Sequence, residues 1–419
     1  MTAPDPTAAP SAVPPAPALG SLVTEVSRTF DTAITTANLP VYRASSVFFE
    51  TLADAYGTGA RAVAGERHAS SYATAGTPTT FALMDALAEI EGHGHACRAA
   101  LMPSGLSAIA AALLAVVKTG DHVLMPDSVY GPGRTFANGL LARMGVRTTF
   151  YDPALGAEGI AALIEPATRV LYLESPGSYT FEIQDVPALC ALARRHGIVT
   201  MIDNAWASPM FSRPFDWGVD MSLLPLTKYW SGHADVLMGA VVVREDLWPA
   251  LHTAVRQMGI CVGGDDAFLI LRGLRTANVR MLRHQQSALE VARWLGTRPE
   301  IGAVLHPALP SHPQHALWQR DFQGSSGLFS FELRHDAVGA DEAVVARKLA
   351  ALAERRRFFR IGYSWGGYES LIVPARLNGL RNIKPWTGGP LVRVHIGLEE
   401  PADLIGDLEA GLAAMNAAH

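Results

Sequence analysis

Apolar and polar positions along the chain fall into alternating helical and extended periods from about residue 77. After Thr77-Pro78, the stretch PTTFALMDALAEIEG puts Leu83, Leu87 and Ile90 on one face, the spacing of an amphipathic helix. RAALMP is a short apolar run stopped by Pro103, and SGLSAIAAALLAVVKTG reads as an Ala/Leu-rich helix closed by Gly120. DHVLMP, VRTTFYDP, TRVLYLESPG, IVTMIDNA and DMSLLPLTKY continue as extended runs, with PGRTFANGLLARMG, AEGIAALIEP and ALCALARRHG as helices between them. VLMGAVVV adds a further strand. Continuous apolar strands separated by helices predict a mainly parallel sheet covered on both faces, an α/β fold.

From about Asp266 the pattern changes to long helices broken near Gly273, followed by strand-like GLFSFELR and LVRVHIGL and two further helices, DEAVVARKLAALAERR and PADLIGDLEAGLAAMN. This predicts a large domain over 77–275 and a smaller α/β domain over 276–419. Residues 1–20 are mostly Pro and Ala and read as a disordered, polyproline-like arm. Residues 21–76 form an N-terminal segment between arm and sheet.

Composition narrows the function. The 419 residues are 49% hydrophobic and 17% charged, with net charge −5, so a large core is affordable and no basic stripe invites nucleic acid. Three scattered cysteines (Cys97, Cys190, Cys261) give no disulfide framework or cysteine zinc module and suit a reducing compartment. No apolar run is long enough for a membrane helix, and the expectation is a cytoplasmic enzyme without membrane or metal. Gly92-His93-Gly94-His95 reads as a polar turn closing a helix rather than a metal loop. No G-x-G-x-x-G or P-loop supports a nucleotide-binding reading.

Three post-strand loops carry candidate chemistry, because ligands gather at the carboxyl ends of strands in open α/β sheets. Pro103-Ser104-Gly105-Leu106-Ser107 opens a helix, either as an ordinary serine cap or as a phosphate cradle. Asp203 ends an apolar strand, where a carboxylate needs a partner: the next helix or a cationic ligand nitrogen. Lys228, in Thr227-Lys228-Tyr229, lies just beyond another strand, either snorkelling to solvent or acting as a Schiff-base amine. Taken together they form the set a pyridoxal 5'-phosphate (PLP) enzyme requires.

At this point MIDNAWA, LTKYWSGHAD, LRGLRT, SGLFSFEL, YSWGGYESL and VRVHIGLE, in this order, resemble the cystathionine/methionine-metabolism family of PLP-dependent enzymes. The likeness runs from about Tyr72 to near the C-terminus. HVLMPDSVYGP, LYLESPGSYTFEIQDVPA and YSWGGYESL are similar to its bacterial cystathionine β-lyase branch. The resemblance implies fold type I, the aspartate aminotransferase architecture, and a homo-oligomer, a dimer-built site in a tetramer. It implies that Lys228 holds the cofactor aldehyde, Asp203 pairs with the pyridinium, and Tyr130 stacks on the ring and assists proton movement. Ser104, Gly105, Leu106 and Thr227 would hold the phosphate, joined by Tyr72 from the neighbouring subunit, which the N-terminal segment 21–76 would contact. Arg393 would clamp the substrate α-carboxylate, helped by Ser364 and Trp365.

The implied reaction is β-elimination of L-cystathionine to homocysteine, pyruvate and ammonia in methionine biosynthesis, with cystine and S-substituted cysteines as further substrates. The alternatives are a γ-acting sibling (cystathionine γ-lyase, methionine γ-lyase or cystathionine γ-synthase) and a PLP-binding regulatory protein. Tyr363 separates the first pair, since γ-lyases acting on cystathionine usually carry Glu there. Retention of Lys228 and Arg393 argues against the regulatory alternative. The chain departs from the family at Thr74, where an arginine is expected, and at Pro225, where a serine is common. His233 and His395 read as structural histidines.

Overall fold

The computed structural model describes residues 17–27, 36–377 and 379–418. Seven strands build the large domain: β1 Cys97–Met102, β2 His122–Pro126, β3 Arg147–Tyr151, β4 Thr168–Glu174, β5 Val199–Asp203, β6 Met221–Leu224 and β7 Gly239–Arg244. They lie side by side in the order β1-β7-β6-β5-β4-β2-β3. Both faces are covered, as the alternation along the strands shows. Ala240 and Val242 of β7 join Leu83 and Leu87 in one core, while Val241 and Val243 join Ile109 and Leu113 in the core on the other side.

The parallel expectation needs one correction. β7 runs antiparallel to both β1 and β6, although the other neighbouring pairs are parallel. The connection from β6 to β7 holds turns and no crossover helix, and without a crossover the chain returns antiparallel. That short return is the segment carrying Lys228.

The small domain is a five-stranded sheet of β8 Ile301–Leu305, β9 Leu328–Leu333, β10 Arg360–Ile361, β11 Leu371–Pro374 and β12 Leu391–His395. Its order is β10-β11-β12-β9-β8. The helix Ala277–Leu295 joins the two domains. Ala277 and Met281 pack in the large-domain core, whereas Ala288, Val291 and Leu295 pack in the small-domain core.

The N-terminal region differs from the expected arm. A helix spans Leu19–Glu25, so Leu19 and Gly20 form its first turn; residues 1–16 of the expected arm lie outside the described residues. Leu22, Val23 and Val26 are buried in the large-domain core, the i, i+1, i+4 positions of one helical face. A second helix, Leu52–Val63, leaves Leu52, Tyr56 and Val63 exposed. Among the described residues no helix is long and apolar enough to cross a membrane.

Candidate active site

The ends of β4 and β5, the turn after β6 and the inner edge of the small domain enclose a cavity of about 700 Å³. Every site residue expected from the sequence lines it except Tyr72. Tyr72 is 52% exposed and lies in a separate groove with Arg67, His68 and Trp248. Within one chain it does not meet Lys228, because its loop is tied by a bridge to Ser46 and turned away from the strand ends.

Lys228 follows a tight turn in which its N–H donates to the Pro225 carbonyl at 3.0 Å. Its ammonium donates to Ser364 Oγ and sits 5.1 Å from the centre of the Trp365 ring. Burial disfavours the charged amine and nearby Arg393 adds to this; Asp203 pulls the other way, and the pKa falls to about 8. Gly366, at φ +89°, lets the small domain come this close: a Cβ there would stand 3.0 Å from Lys228 Cα and 2.8 Å from Tyr229 N. Ser364 itself adopts φ +83°, a conformation rare for serine and held here at the site.

Asp203 and Glu174 end neighbouring strands in register. Glu174 is satisfied: Ser178 Oγ donates to one carboxylate oxygen and the Tyr130 N–H to the other, each at 2.7 Å. Burial, then the charge of Asp203, raise its pKa well above the usual range. Asp203 Oδ1 is buried and has no hydrogen-bond partner. Burial pushes the Asp203 carboxyl up to about 7, against the pull of the Ala205 N–H and of Lys228. An orphaned buried carboxylate oxygen is costly unless a ligand completes it, and a pyridinium N–H has the required chemistry.

Ser104 is the N-cap of the helix Gly105–Val116, in a capping box with Ser107. The serine-cap reading therefore holds; it takes the Ser107 N–H and leaves those of Gly105 and Leu106 available to an anion. Gly239 of β7 packs against this turn, where a Cβ would stand 2.3 Å from the Ser104 carbonyl oxygen. The Thr227 hydroxyl accepts from the Met238 N–H at 3.0 Å. Lysine, orphaned carboxylate and open helix start are a donor set that fits PLP: Lys228 would take the aldehyde, Asp203 the ring nitrogen, and Ser104, Gly105, Leu106 and Thr227 the phosphate.

Arg393 enters from β12, with its guanidinium 5.1 Å from the Tyr179 ring centre and 3.4 Å from the Ser364 carbonyl oxygen. Burial lowers its pKa while Tyr179, Tyr130 and Tyr363 oppose the shift. Tyr130 is 42% exposed at the rim; burial first, then Asp203 and Glu174, raise its pKa. His395, on the same strand face as Arg393, is buried with Nε2 3.1 Å from Gly366 N and from the Gly367 carbonyl oxygen. It braces the turn that carries Ser364 and Trp365, and burial drives its pKa well down. His233 Nδ1 lies 2.6 Å from the Ser231 carbonyl oxygen. His93 is the left-handed cap of the helix Pro78–Gly92.

Sequence reasoning missed Glu174, Tyr179 and a strap between β11 and β12. Glu174 carried the signal that exposed Asp203, a carboxylate ending an apolar strand. Tyr179 and Phe181 adopt φ +65° and +57°, which nothing local in their side chains announces. The strap is anchored from afar. Buried Asp127, just after β2, accepts the N–H groups of Asn382, Ile383 and Lys384 at 3.1, 2.9 and 3.0 Å, and the Arg134 guanidinium. Arg381 bonds Thr180 and Glu182 in the Tyr179 loop.

Comparison with known proteins agrees with this geometry. Residues 21–413 match the family described as Cys/Met metabolism PLP-dependent enzyme. A putative cystathionine β-lyase of Rhizobium johnstonii is 47% identical over 380 residues, covering 91% of this chain and 92% of the relative. An L-alanine/L-glutamate racemase of Wolbachia pipientis is 40% identical over 403 residues, covering 94% and 97%. The crystal structure of cystathionine γ-synthase from Xanthomonas oryzae, in complex with aminoacrylate and cysteine, superimposes with a TM-score of 0.83 at 30% identity, covering 96% and 99%.

Proposed function

Since the chain belongs to the Cys/Met metabolism PLP-dependent enzymes, with their fold type I architecture, we propose that it acts as a carbon–sulfur β-lyase. L-Cystathionine and water give homocysteine, pyruvate and ammonia. The Cβ–S bond breaks, sulfur leaves with the electron pair and takes a proton, and the remaining three-carbon enamine is hydrolysed. The observation that carries this reading is the convergence of a desolvated lysine amine, an orphaned aspartate oxygen and a buried arginine on one cavity. The 47% identity to a relative named a β-lyase supports the β position, as does Tyr363 where γ-lyases acting on cystathionine carry Glu.

Bound PLP would supply the electron sink for the pair released at Cα, provided its ring nitrogen stays protonated. The chain's own residues do the rest. Arg393 would bind the substrate α-carboxylate and so fix the orientation of Cα in the cavity it shares with Lys228. Lys228 would take the Cα proton, and its lowered pKa keeps the amine ready as a base near neutral pH. Ser364 orients that amine. The Ser364–Gly367 turn places the Trp365 ring beside that amine.

The test combines a spectrum with a product assay. Purified protein with PLP should show an absorbance band at the visible edge that Lys228→Ala abolishes, and L-cystathionine should yield pyruvate. 2-Oxobutyrate instead would move the assignment to a γ-lyase. The 40% identity to a protein named a racemase makes D-alanine from L-alanine the second product to assay. We also propose a dimer-built site, with two dimers forming a tetramer, supported by the uncovered Phe48, Leu52 and Tyr56 and by the outward position of Tyr72. Light scattering of the holoenzyme would read the mass directly.

A further inference from the structure

The cavity is chemically two-ended, and its outer end is uncharged and largely apolar. Among its described lining residues the charged side chains are Glu174, Asp203, Lys228 and Arg393, and each already has a task. Glu174 is saturated by Ser178 and Tyr130. Asp203 and Lys228 face the cofactor, and Arg393 the α-carboxylate. What is left for the group beyond sulfur carries no charge: Pro132, Thr135, Tyr179, Leu237, Tyr363 and Leu380. Leu237 is 73% exposed and Tyr363 80%, large apolar surface left uncovered on the rim of a concave site.

This wall is built rather than incidental. Leu380 is delivered by the strap, whose next residues are pinned to Asp127 through three backbone N–H groups and to Glu182 through Arg381. Leu380 reaches the Gly131 backbone, where a Cβ on the glycine would stand 3.3 Å from Leu380 Cδ2. The loop that the resemblance brings to the neighbouring subunit's site, Ala73-Thr74-Ala75, adds no charge, with Thr74 standing where an arginine is expected.

Resting on the β-lyase reading, we infer that the outer subsite selects S-substituted L-cysteines whose substituent is uncharged and apolar, alkyl or aryl, over those ending in a second amino-acid head group. A second ammonium and carboxylate would meet a wall without a free counter-charge, giving up hydration with no ion pair in return. An aryl or alkyl group gains from the same burial. The chemistry is unchanged: RS–CH₂–CH(NH₃⁺)–COO⁻ and water give RSH, pyruvate and ammonium.

The test is a substrate series on the holoenzyme, reading pyruvate as kcat/KM for S-ethyl-L-cysteine, S-benzyl-L-cysteine, L-cystathionine and L-cystine. The expected result is kcat/KM for S-benzyl-L-cysteine at least about tenfold above L-cystathionine, with the difference mainly in KM. Leu380→Arg should narrow or reverse that ratio by favouring the charged substrate, and Leu237→Arg on the rim offers the same readout without touching the strap. Pyruvate from all four with L-cystathionine equal or preferred would overturn the subsite and leave the β-lyase reading standing. A fall of equal size for both substrate types in both variants would likewise overturn it. No pyruvate from any substrate would sink the β-lyase reading and this inference together.

Discussion

The two walls of the cavity are built on opposite terms. On the large-domain side, polar groups are left with unused capacity: Asp203 Oδ1 has no partner, and the helix after Ser104 opens its first N–H groups. On the small-domain side and its strap, the groups that shape the cavity are spent on one another. Ser364 receives Lys228, His395 braces Gly366 and Gly367, and Asp127 is saturated by backbone and guanidinium donors. Where unspent hydrogen-bonding capacity lines the cavity, as at Asp203, a permanent ligand can complete it, and burying it unpartnered costs free energy. A self-satisfied wall positions a transient ligand by shape and by one or two charges.

The comparison breaks most sharply at Lys228, which serves both walls. Lys228→Ala should remove the visible-edge band and lower turnover by about 10⁴-fold, the upper range for a positioned general base; a stopped pyruvate assay reads it. Next is the strap anchor. Burial alone would raise the Asp127 pKa, but the Lys384, Asn382 and Ile383 N–H groups and Arg134 outweigh it, and the carboxyl titrates below the ordinary range. Its contribution to stability is thus present above the unfolded carboxyl pKa and is lost as pH falls through the lowered folded value. Asp127→Ala, which strands Arg134 and the strap N–H groups, should cost about 3–5 kcal/mol in urea unfolding at pH 7.

Arg393→Lys tests whether the small-domain wall recognises by fork geometry or by charge alone. Loss of the bidentate fork should cost about 1.5–3 kcal/mol in kcat/KM, appearing chiefly in KM, while the absorbance band stays. The smallest effect sharpens the large-domain side. With its pKa raised to about 7, Asp203 binds a proton in the folded cofactor-free protein that the unfolded chain has already released above about pH 4. Its contribution to stability is present at low pH and is lost as pH rises through 7. Asp203→Asn should therefore gain on the unsubstituted protein by about 1–3 kcal/mol between pH 4 and pH 8 when PLP is absent. A flat difference in thermal melts across that range would remove the orphaned carboxylate as the mark of the cofactor site.

Much of this site was legible along the chain because its large-domain members end strands or open a helix. An apolar run that stops at Asp203, one that stops before Lys228, and a serine at a helix start are local signals, and the strand-to-loop rule gathers them at one edge. Glu174 obeyed the same rule and was passed over. The antiparallel course of β7 was not legible from its apolar composition, since a strand buried on both faces reads the same in either direction.

By itself the sequence determined the alternating architecture, the lysine, aspartate and arginine of the site, and their family. It did so through periodicity and through charges placed where apolar residues surround them. Tertiary structure alone decided which polar atoms are spent and which are free. It separated Glu174 from Asp203, set Gly366 against Lys228, and brought Leu380 to the mouth through a strap pinned to Asp127 more than 250 positions earlier in the chain. Hydrogen-bond saturation and close approach depend on distances between segments remote in sequence, and no local pattern of residues encodes them.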